Sequence, residues 1–290
     1  IRQMLWGFFK KVVVADNCAL FVNGVFENYQ TLDGSTLFLG AFFFTIQIYG
    51  DFSGYSDIAI GCARLFGIDL MQNFKYPYFS RDIAEFWRRW HISLTTWFRD
   101  YIYIPLGGSR AGKWKSFRNT LVIFLVSGFW HGANWTFVAW GAYHALLFLP
   151  LLLLGQNRRY RDSVAENSFL PSVKELTQMG ATFLLVLLGW ILFRSEDISQ
   201  AAVYLERMFN VSLFSAPQLV GLGFGQLLLK KCFFFTALMF VVEWIGRKQA
   251  HGLMIEDLSL PVRYVIYTVL LIIIYGFDAS NPQGFIYFQF

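Results

Sequence analysis

The chain has 290 residues, of which 56% are hydrophobic, 20% aromatic and only 15% charged. Because an average soluble domain carries about 25% charged residues, this composition argues against a soluble protein and favours a membrane protein. The formal net charge of +5 is small, and no RNA- or DNA-binding motif accompanies it, so nucleic acid is excluded as a partner.

Apolar runs recur along the chain, and a membrane helix needs about 20 such residues to cross a bilayer. We expect an all-α, polytopic fold with five to seven membrane helices, in which one membrane domain covers 1–290. Because the chain opens with Ile1, we also expect a fragment that lacks N-terminal helices. The candidate spans are 5–26 (interrupted by Lys10, Lys11 and Asp16), 36–50, 119–130, 135–154, 179–193, 232–246 and 262–277.

A polar motif, YGDFSGYSDIAIG (49–61), directly follows the second apolar run. Gly50 and Gly54 form a GxxxG pair, which permits close approach of a second helix. Asp51 and Asp57 either orient a substrate hydroxyl or lock helices together through hydrogen bonds, and the residues alone leave both alternatives open.

A basic segment covers 75–118, with nine lysines and arginines. Apolar residues recur at intervals of three and four from Ile83 to Phe98, which predicts one amphipathic helix with arginines on its opposite face. Such a helix prefers the membrane interface, and the excess of positive charge predicts a cytoplasmic location.

The apolar stretch over 119–155 is too long for a single crossing. Gly128, Gly132 and Asn134 weaken a helix in its middle, so we predict two helical pieces that meet at His131. Irregular backbone at membrane depth is tolerated only where it is buried in protein or lines a wet cavity. Because burial disfavours the charged imidazole, His131 there is either a neutral general base or a packing residue bonded to nearby carbonyls.

Several long strings in this sequence carry a family resemblance. RRWHISLTTWFRDYIYIPLGGSR (88–110), FWHGANWTFVAWGAYH (129–144), YGDFSGYSDIAIG and the closing FIYFQF (285–290) resemble the membrane-bound O-acyltransferase (MBOAT) family. The similarity is greatest to its bacterial alginate O-acetyltransferase (AlgI-like) branch. The resemblance implies a helical bundle with re-entrant and interfacial helices around a central tunnel.

The resemblance also implies an activity, which is acetyl transfer from a cytoplasmic thioester to a hydroxyl of an exopolysaccharide such as alginate. His131 matches the catalytic histidine of the family, and His91 matches a second polar position. Judged from the residues alone, His91 either helps to hold the donor or to transfer a proton, or it is an interfacial helix residue. His144 is expected to be structural, and His251 is expected to lie in a surface loop.

Two roles are open for four arginines of this segment. They can bind donor phosphates bidentately, or they can set the membrane topology and contact lipid headgroups. The four are Arg88, Arg89, Arg99 and Arg110. Asn134 is a further candidate for acceptor binding or helix locking. No bound cofactor is expected, and acetyl-CoA or a similar thioester is the expected co-substrate. The four histidines lack metal-ligand spacing, so no metal is expected.

The expected partners are the lipid bilayer, the polysaccharide acceptor and a periplasmic or extracellular acetylation protein, and the expected location is a bacterial inner membrane. One alternative function is D-alanyl transfer to a teichoic-acid-type acceptor. Another is a transporter or scaffold in polysaccharide secretion, although no repeat symmetry between halves supports a transporter.

Overall fold

The structure, a computed structural model, describes residues 1–109, 112–219 and 225–277. Within these ranges the chain is helical and contains no β-strand, which confirms the predicted all-α class. Arg110 and the closing FIYFQF motif lie outside the described residues. The helices are α1 (Arg2–Phe8), α2 (Asp16–Glu27), α3 (Gly34–Leu65), α4 (Ile83–Arg89), α5 (Ile92–Phe98), α6 (Lys113–His131), α7 (Trp135–Leu153), α8 (Val173–Arg194), α9 (Ile198–Met208), α10 (Gln226–Ile245) and α11 (Leu260–Gly276).

Short non-α turns connect some of these helices. A π-helical segment, Phe9–Ala15, joins α1 to α2 without a break, and a second one, Arg99–Tyr103, follows α5. Pro77–Phe79 and Val211–Phe214 form single 3₁₀ turns. π-Helical turns are rare and each inserts an extra residue into a helix, so they redirect the side chains that follow.

The chain divides into two compact units, which we call unit 1 and unit 2. Unit 1 comprises Ile1–Gln72 and the chain from Val203 onward, and unit 2 comprises Asn73–Ala202. In unit 1, α3 packs along α1, the first π-helical segment and α2. In unit 2, α6 packs against α7, which in turn packs against α8.

Glycines set the close packing of helices in both units. A Cβ atom on Gly54 of α3 would lie 2.8 Å from the carbonyl oxygen of Gly7 in α1, so the predicted close approach at the GxxxG motif is confirmed. In unit 2, a Cβ on Gly141 of α7 would lie only 2.2 Å from the carbonyl oxygen of Phe124 in α6. Neither contact leaves room for a side chain.

Two of the described helices, α7 and α8, are long and apolar enough to cross a membrane when judged by length and composition alone. The apolar helix α11 has 17 residues and is shorter than a full span. Fewer of the described helices therefore have the length and apolar composition of a membrane span than the five to seven expected. Lysines in α6 and α10 lower the mean hydropathy of those two helices.

Candidate active site

The helix break predicted near His131 is present in unit 2. Helix α6 ends at His131 and α7 begins at Trp135, which confirms the two predicted helical pieces. The side chain of Asn134 caps α7, because its Oδ1 accepts a hydrogen bond from the Thr136 amide at 3.0 Å. The Asn134 amide group donates to the carbonyl oxygen of Glu196 at 2.6 Å, so Asn134 ties the break to the end of α8.

The His131 imidazole lies among aromatic rings and is only partly buried. Its ring centroid is 5.2 Å from that of Trp140 and 5.0 Å from that of Phe193, and both contacts are edge-on. Phe137 lies 6.3 Å away on a third side. The aromatic neighbours therefore restrict the orientation of the ring.

His91 lies at a second break, between α4 and α5. The single amphipathic helix expected over this segment is wrong, because the chain leaves helical geometry at Trp90 and His91. His91 has a left-handed backbone conformation with φ of 44°. The break is held by backbone hydrogen bonds from Lys75 N to Arg89 O and from Ile92 N to Asn73 O, each 3.0 Å long.

Ser93 and Asn73 lie beside the His91 ring. The Ser93 amide and hydroxyl both donate to Oδ1 of Asn73, at 3.2 and 2.5 Å. Ser93 Oγ also lies 3.4 Å from His91 Nδ1. Burial lowers the pKa of His91 to about 4, which keeps the ring neutral near pH 7.

Trp130 brings the two candidate histidines together. Its ring centroid lies 4.9 Å from that of His131 and 6.4 Å from that of His91, and both contacts are edge-on. Trp130 is itself 53% exposed. Two helix breaks that are 40 residues apart in sequence thus present two imidazoles beside one accessible indole.

His144 occupies a different environment, since its side chain is completely buried. Trp87 and Trp140 contact its ring edge-on, with centroids 5.0 and 5.1 Å away. Neither ring nitrogen has a hydrogen-bond partner within the described residues. Gly189 of α8 leaves space for this ring, because a Cβ there would lie 2.7 Å from Nε2. These contacts agree with the structural role expected for His144.

Two of the four arginines expected to bind donor line a cavity in unit 2. The cavity has a volume of 410 Å³, and its lining residues are Lys75, Arg88, Arg89, Arg158, Tyr160, Arg161 and Ser163. Arg99 does not line it, and pairs instead with neighbouring Asp100 at 2.7 Å on the surface. Sequence reasoning missed Arg158 and Arg161, although the basic run NRRYR over 157–161 was a visible signal.

The two aspartates of the glycine motif lie in unit 1 and pair with lysines there. Asp57 lies 2.6 Å from Lys10 and accepts a hydrogen bond from Gln3 at 2.8 Å. Asp51 lies 2.6 Å from Lys11. The lysines belong to the π-helical segment and the aspartates to α3, so these contacts favour the helix-locking alternative for both.

One further prediction is wrong. His251 is buried rather than a surface residue, and its Nδ1 accepts a hydrogen bond from the Leu253 amide at 3.2 Å. The loop folds back on the side chain, which sequence position alone does not reveal. Among the described residues, no group of three or more histidine, cysteine or carboxylate side chains has a geometry suited to a metal ion.

Comparison with known proteins identifies the family. The model of the membrane-bound O-acyltransferase family matches residues 20–169, a range that contains both helix breaks and both candidate histidines. The chain belongs to the membrane-bound O-acyltransferase family. Membership agrees with the resemblance of the sequence motifs and with the helical architecture of the described residues.

Relatives within the family are named for three different transfer activities. The chain is 41% identical to the probable alginate O-acetylase AlgI of Pseudomonas aeruginosa over 78% of this chain and 42% of that protein. It is 38% identical to a peptidoglycan O-acetyltransferase of Helicobacter pylori, over 71% of this chain and 38% of that protein. A teichoic acid D-alanyltransferase of Bacillus subtilis is 28% identical over 68% of this chain and 50% of that protein. The chain thus spans half or less of the length of each of these relatives.

Proposed function

We propose that the protein is an O-acetyltransferase that moves an acetyl group from a thioester donor to a hydroxyl of an extracellular polysaccharide such as alginate. The acetyl group passes to the polymer directly or through a partner protein outside the membrane. The observation that carries this proposal is the arrangement of His91 and His131, two half-buried histidines whose rings lie beside the same indole.

The proposed chemistry uses His131 as a general base. Its neutral imidazole accepts the proton of the acceptor hydroxyl while the hydroxyl oxygen attacks the thioester carbonyl carbon. A new C–O bond forms, the C–S bond breaks, and the leaving thiolate takes the proton back from the imidazolium. His91, beside Trp130, supports the transfer by helping to hold the donor or the proton.

The donor side of the proposed site is the basic segment. Arg88 and Arg89 are the donor-binding candidates that line the cationic cavity, and they lie three and two residues before His91. Arg99 pairs with Asp100 and is assigned to the surface charge of this segment. By the positive-inside rule the segment faces the cytoplasm, where acyl thioesters are made.

The proposed setting is a multi-pass protein of the bacterial inner membrane. Donor enters from the cytoplasmic side and acceptor from the opposite side, through a tunnel that meets at His131. The apolar helices α7 and α8, whose Trp140 and Phe193 rings contact His131, support this placement because both have the length and hydropathy of membrane spans. Separating the two entrances would keep the charged part of the donor in the cytoplasm.

Peptidoglycan is the second candidate acceptor. The relative named as a peptidoglycan O-acetyltransferase is nearly as similar to this chain as the probable alginate O-acetylase. Both acceptors present a sugar hydroxyl, so the proposed chemistry at His131 is the same for either. D-alanyl transfer to teichoic acid ranks below them, because that relative is 28% identical.

The test is acetyl transfer by the full-length protein reconstituted in lipid nanodiscs, measured with a radiolabelled acetyl thioester and with alginate or peptidoglycan fragments. We expect His131→Ala to reduce transfer by about a hundredfold or more, because a general base contributes factors of that size. The matched control is His251→Ala, which removes a histidine of unit 1. Wild-type transfer by a folded His131→Ala protein would contradict the proposed mechanism.

A further inference from the structure

A further cavity lies in unit 1, between helices α10 and α11, and we call it the α10–α11 groove. Both helices pack against the first π-helical segment. Phe235 of α10 forms the floor of the groove, since its side chain is 2% exposed and its ring lies 6.2 Å from that of Phe9 in that segment. The groove has a volume of about 240 Å³ and is lined by Leu227, Lys230, Lys231, Phe234, Phe235, Ile273 and Phe277.

Contacts at the end of α11 fix one wall of the groove. Phe277 directly follows α11, and its ring lies edge-on to that of Phe235 with centroids 5.0 Å apart. The carbonyl oxygen of Phe277 accepts a hydrogen bond from the side-chain amide of Asn17 in α2, at 3.0 Å. The groove is therefore part of the packed structure of unit 1.

The outer faces of α10 and α11 are apolar. Large apolar side chains of α11 are exposed along its whole length, and Leu270 is the only residue described for this helix that is buried. On α10, Phe234 and Ile245 are both 63% exposed. Continuous apolar surface of this kind marks contact with a membrane or another apolar partner, and this family is membrane-bound. The groove therefore opens towards lipid acyl chains.

Two lysines interrupt this apolar surface. Within the part of the chain that the structure describes, Lys230 and Lys231 have no carboxylate within 4 Å and no hydrogen-bond partner. By contrast, the buried lysines of the same unit are compensated, because Lys10 lies 2.6 Å from Asp57 and Lys11 2.6 Å from a carboxylate of α3. Cations among apolar side chains are costly without a counterion, so the groove favours an anionic occupant.

The two lysines lie near the end of a helix. They are the fifth and sixth residues of α10, which places them about 6–8 Å from its start at about 1.5 Å per residue. The Lys231 amine lies 5.6 Å from the ring centroid of Phe277, so the start of α10 meets the end of α11. Lysines near the end of a membrane helix reach the headgroup level. Cations at the headgroup level above an apolar groove match the phosphate and acyl chain of a phospholipid.

We propose that the α10–α11 groove binds one anionic phospholipid of the phosphatidylglycerol type. The ammonium groups of Lys230 and Lys231 contact its phosphate, and one acyl chain lies against Phe234 and Ile273 above Phe235. A zwitterionic phospholipid carries its own cation beside the phosphate, so two lysines discriminate against it. The site belongs to unit 1, and the inference is independent of the proposed acetyl transfer.

Native mass spectrometry of the detergent-purified, full-length protein tests this site. The protein is titrated with phosphatidylglycerol and with phosphatidylcholine that carry the same dioleoyl chains. We expect the wild type to bind its first phosphatidylglycerol about tenfold more tightly than its first phosphatidylcholine. The double variant Lys230→Gln/Lys231→Gln should bind phosphatidylglycerol about tenfold to thirtyfold more weakly, since each lysine near a membrane surface contributes about fivefold. Its affinity for phosphatidylcholine should stay unchanged.

Three further variants separate charge, position and the apolar contact. Lys113→Gln/Lys115→Gln removes the same charge from exposed positions at the start of α6, and it should keep the preference for phosphatidylglycerol. Lys230→Arg/Lys231→Arg retains both charges in the groove and should keep the preference as well. Ile273→Trp fills the groove, so it should weaken phosphatidylglycerol binding although both lysines remain.

Three outcomes would overturn the proposal. An equal loss of phosphatidylglycerol in the α6 control would assign the effect to general surface charge. Displacement of phosphatidylglycerol by sn-glycerol 3-phosphate, which has the phosphate but no acyl chains, would identify a site for a soluble phosphate compound. An unchanged preference in Lys230→Gln/Lys231→Gln would show that the groove is occupied by something other than this lipid.

Discussion

At the scale of single residues, His91 combines an unusual backbone with a directed side chain. Its φ of 44° lies in the left-handed region, which costs most L-residues about 1–2 kcal/mol but is tolerated by glycine and asparagine. Its Nδ1 lies 3.4 Å from the hydroxyl oxygen of Ser93. A backbone role and a side-chain role can therefore be separated by substitution.

We expect His91→Asn and His91→Gly to fold with similar thermal stability, because both residues tolerate the left-handed conformation. Asparagine keeps a polar side chain near Ser93, whereas glycine removes it. The kcat/KM for acetyl transfer should therefore be about tenfold higher in His91→Asn than in His91→Gly, a difference of the size that one retained hydrogen bond gives. Equal kcat/KM values for the two variants would show that His91 serves only the backbone turn between α4 and α5.

At the scale of helices, close contacts between glycines determine which elements can pack. Gly54 of α3 faces Gly7 and the amide of Lys11, and a Cβ there would lie 2.8 Å and 3.0 Å from those backbone atoms. Backbone atoms cannot move aside as the end of a side chain can. The pairing of α3 with α1 therefore depends on the absence of a side chain at this position.

We expect Gly54→Ala to lower the free energy of unfolding by about 1–3 kcal/mol, the usual cost of overpacking. The matched control is Gly180→Ala in α8, where nothing lies within 4 Å of the added Cβ. In that exposed helical position alanine should be neutral or stabilise by up to about 1 kcal/mol. Denaturant titration of both variants measures the difference, and equal stabilities would contradict the packing argument.

The two helix breaks and the cationic cavity show how far the local structure could be predicted from the sequence. The break at His131 follows from Gly132 and Asn134, because local residues that weaken a helix are visible in the sequence. The break at His91 was missed, since apolar residues keep helical spacing through it and the hydrogen bonds that cause it come from Asn73 and Lys75. The cationic cavity was found only in part, because Arg158 and Arg161 reach it through the connection between α7 and α8.

At the scale of the whole molecule, the histidine pair and the cationic cavity lie in unit 2, and unit 1 contains a network of buried charges of its own. In that network Lys10 lies 2.6 Å from Asp57 and 3.8 Å from Glu243, and the Tyr49 hydroxyl contacts both carboxylate oxygens of Glu243. Sequence reasoning singled out Asp57 but not Glu243.

Buried ion pairs add little net stability, yet the loss of one partner is costly because a charge is left without compensation. The side chain of Lys10 is 4% exposed, so we expect Lys10→Met to lower the free energy of unfolding by about 3–5 kcal/mol. Lys230→Met, an exposed substitution on α10 in the same unit, is the control and should have little effect.

A substitution at Asp57 distinguishes the two roles considered for this residue, which are helix locking and acceptor binding. If Asp57 locks helices, Asp57→Asn should reduce the yield and thermal stability of folded protein, since it leaves Lys10 without its nearest carboxylate. The folded fraction should then keep the wild-type KM for the polysaccharide acceptor, because unit 2 holds the proposed chemistry. Initial rates at varied acceptor concentration, normalised to folded protein, measure this. A KM raised about tenfold at unchanged stability would instead make Asp57 an acceptor-binding residue.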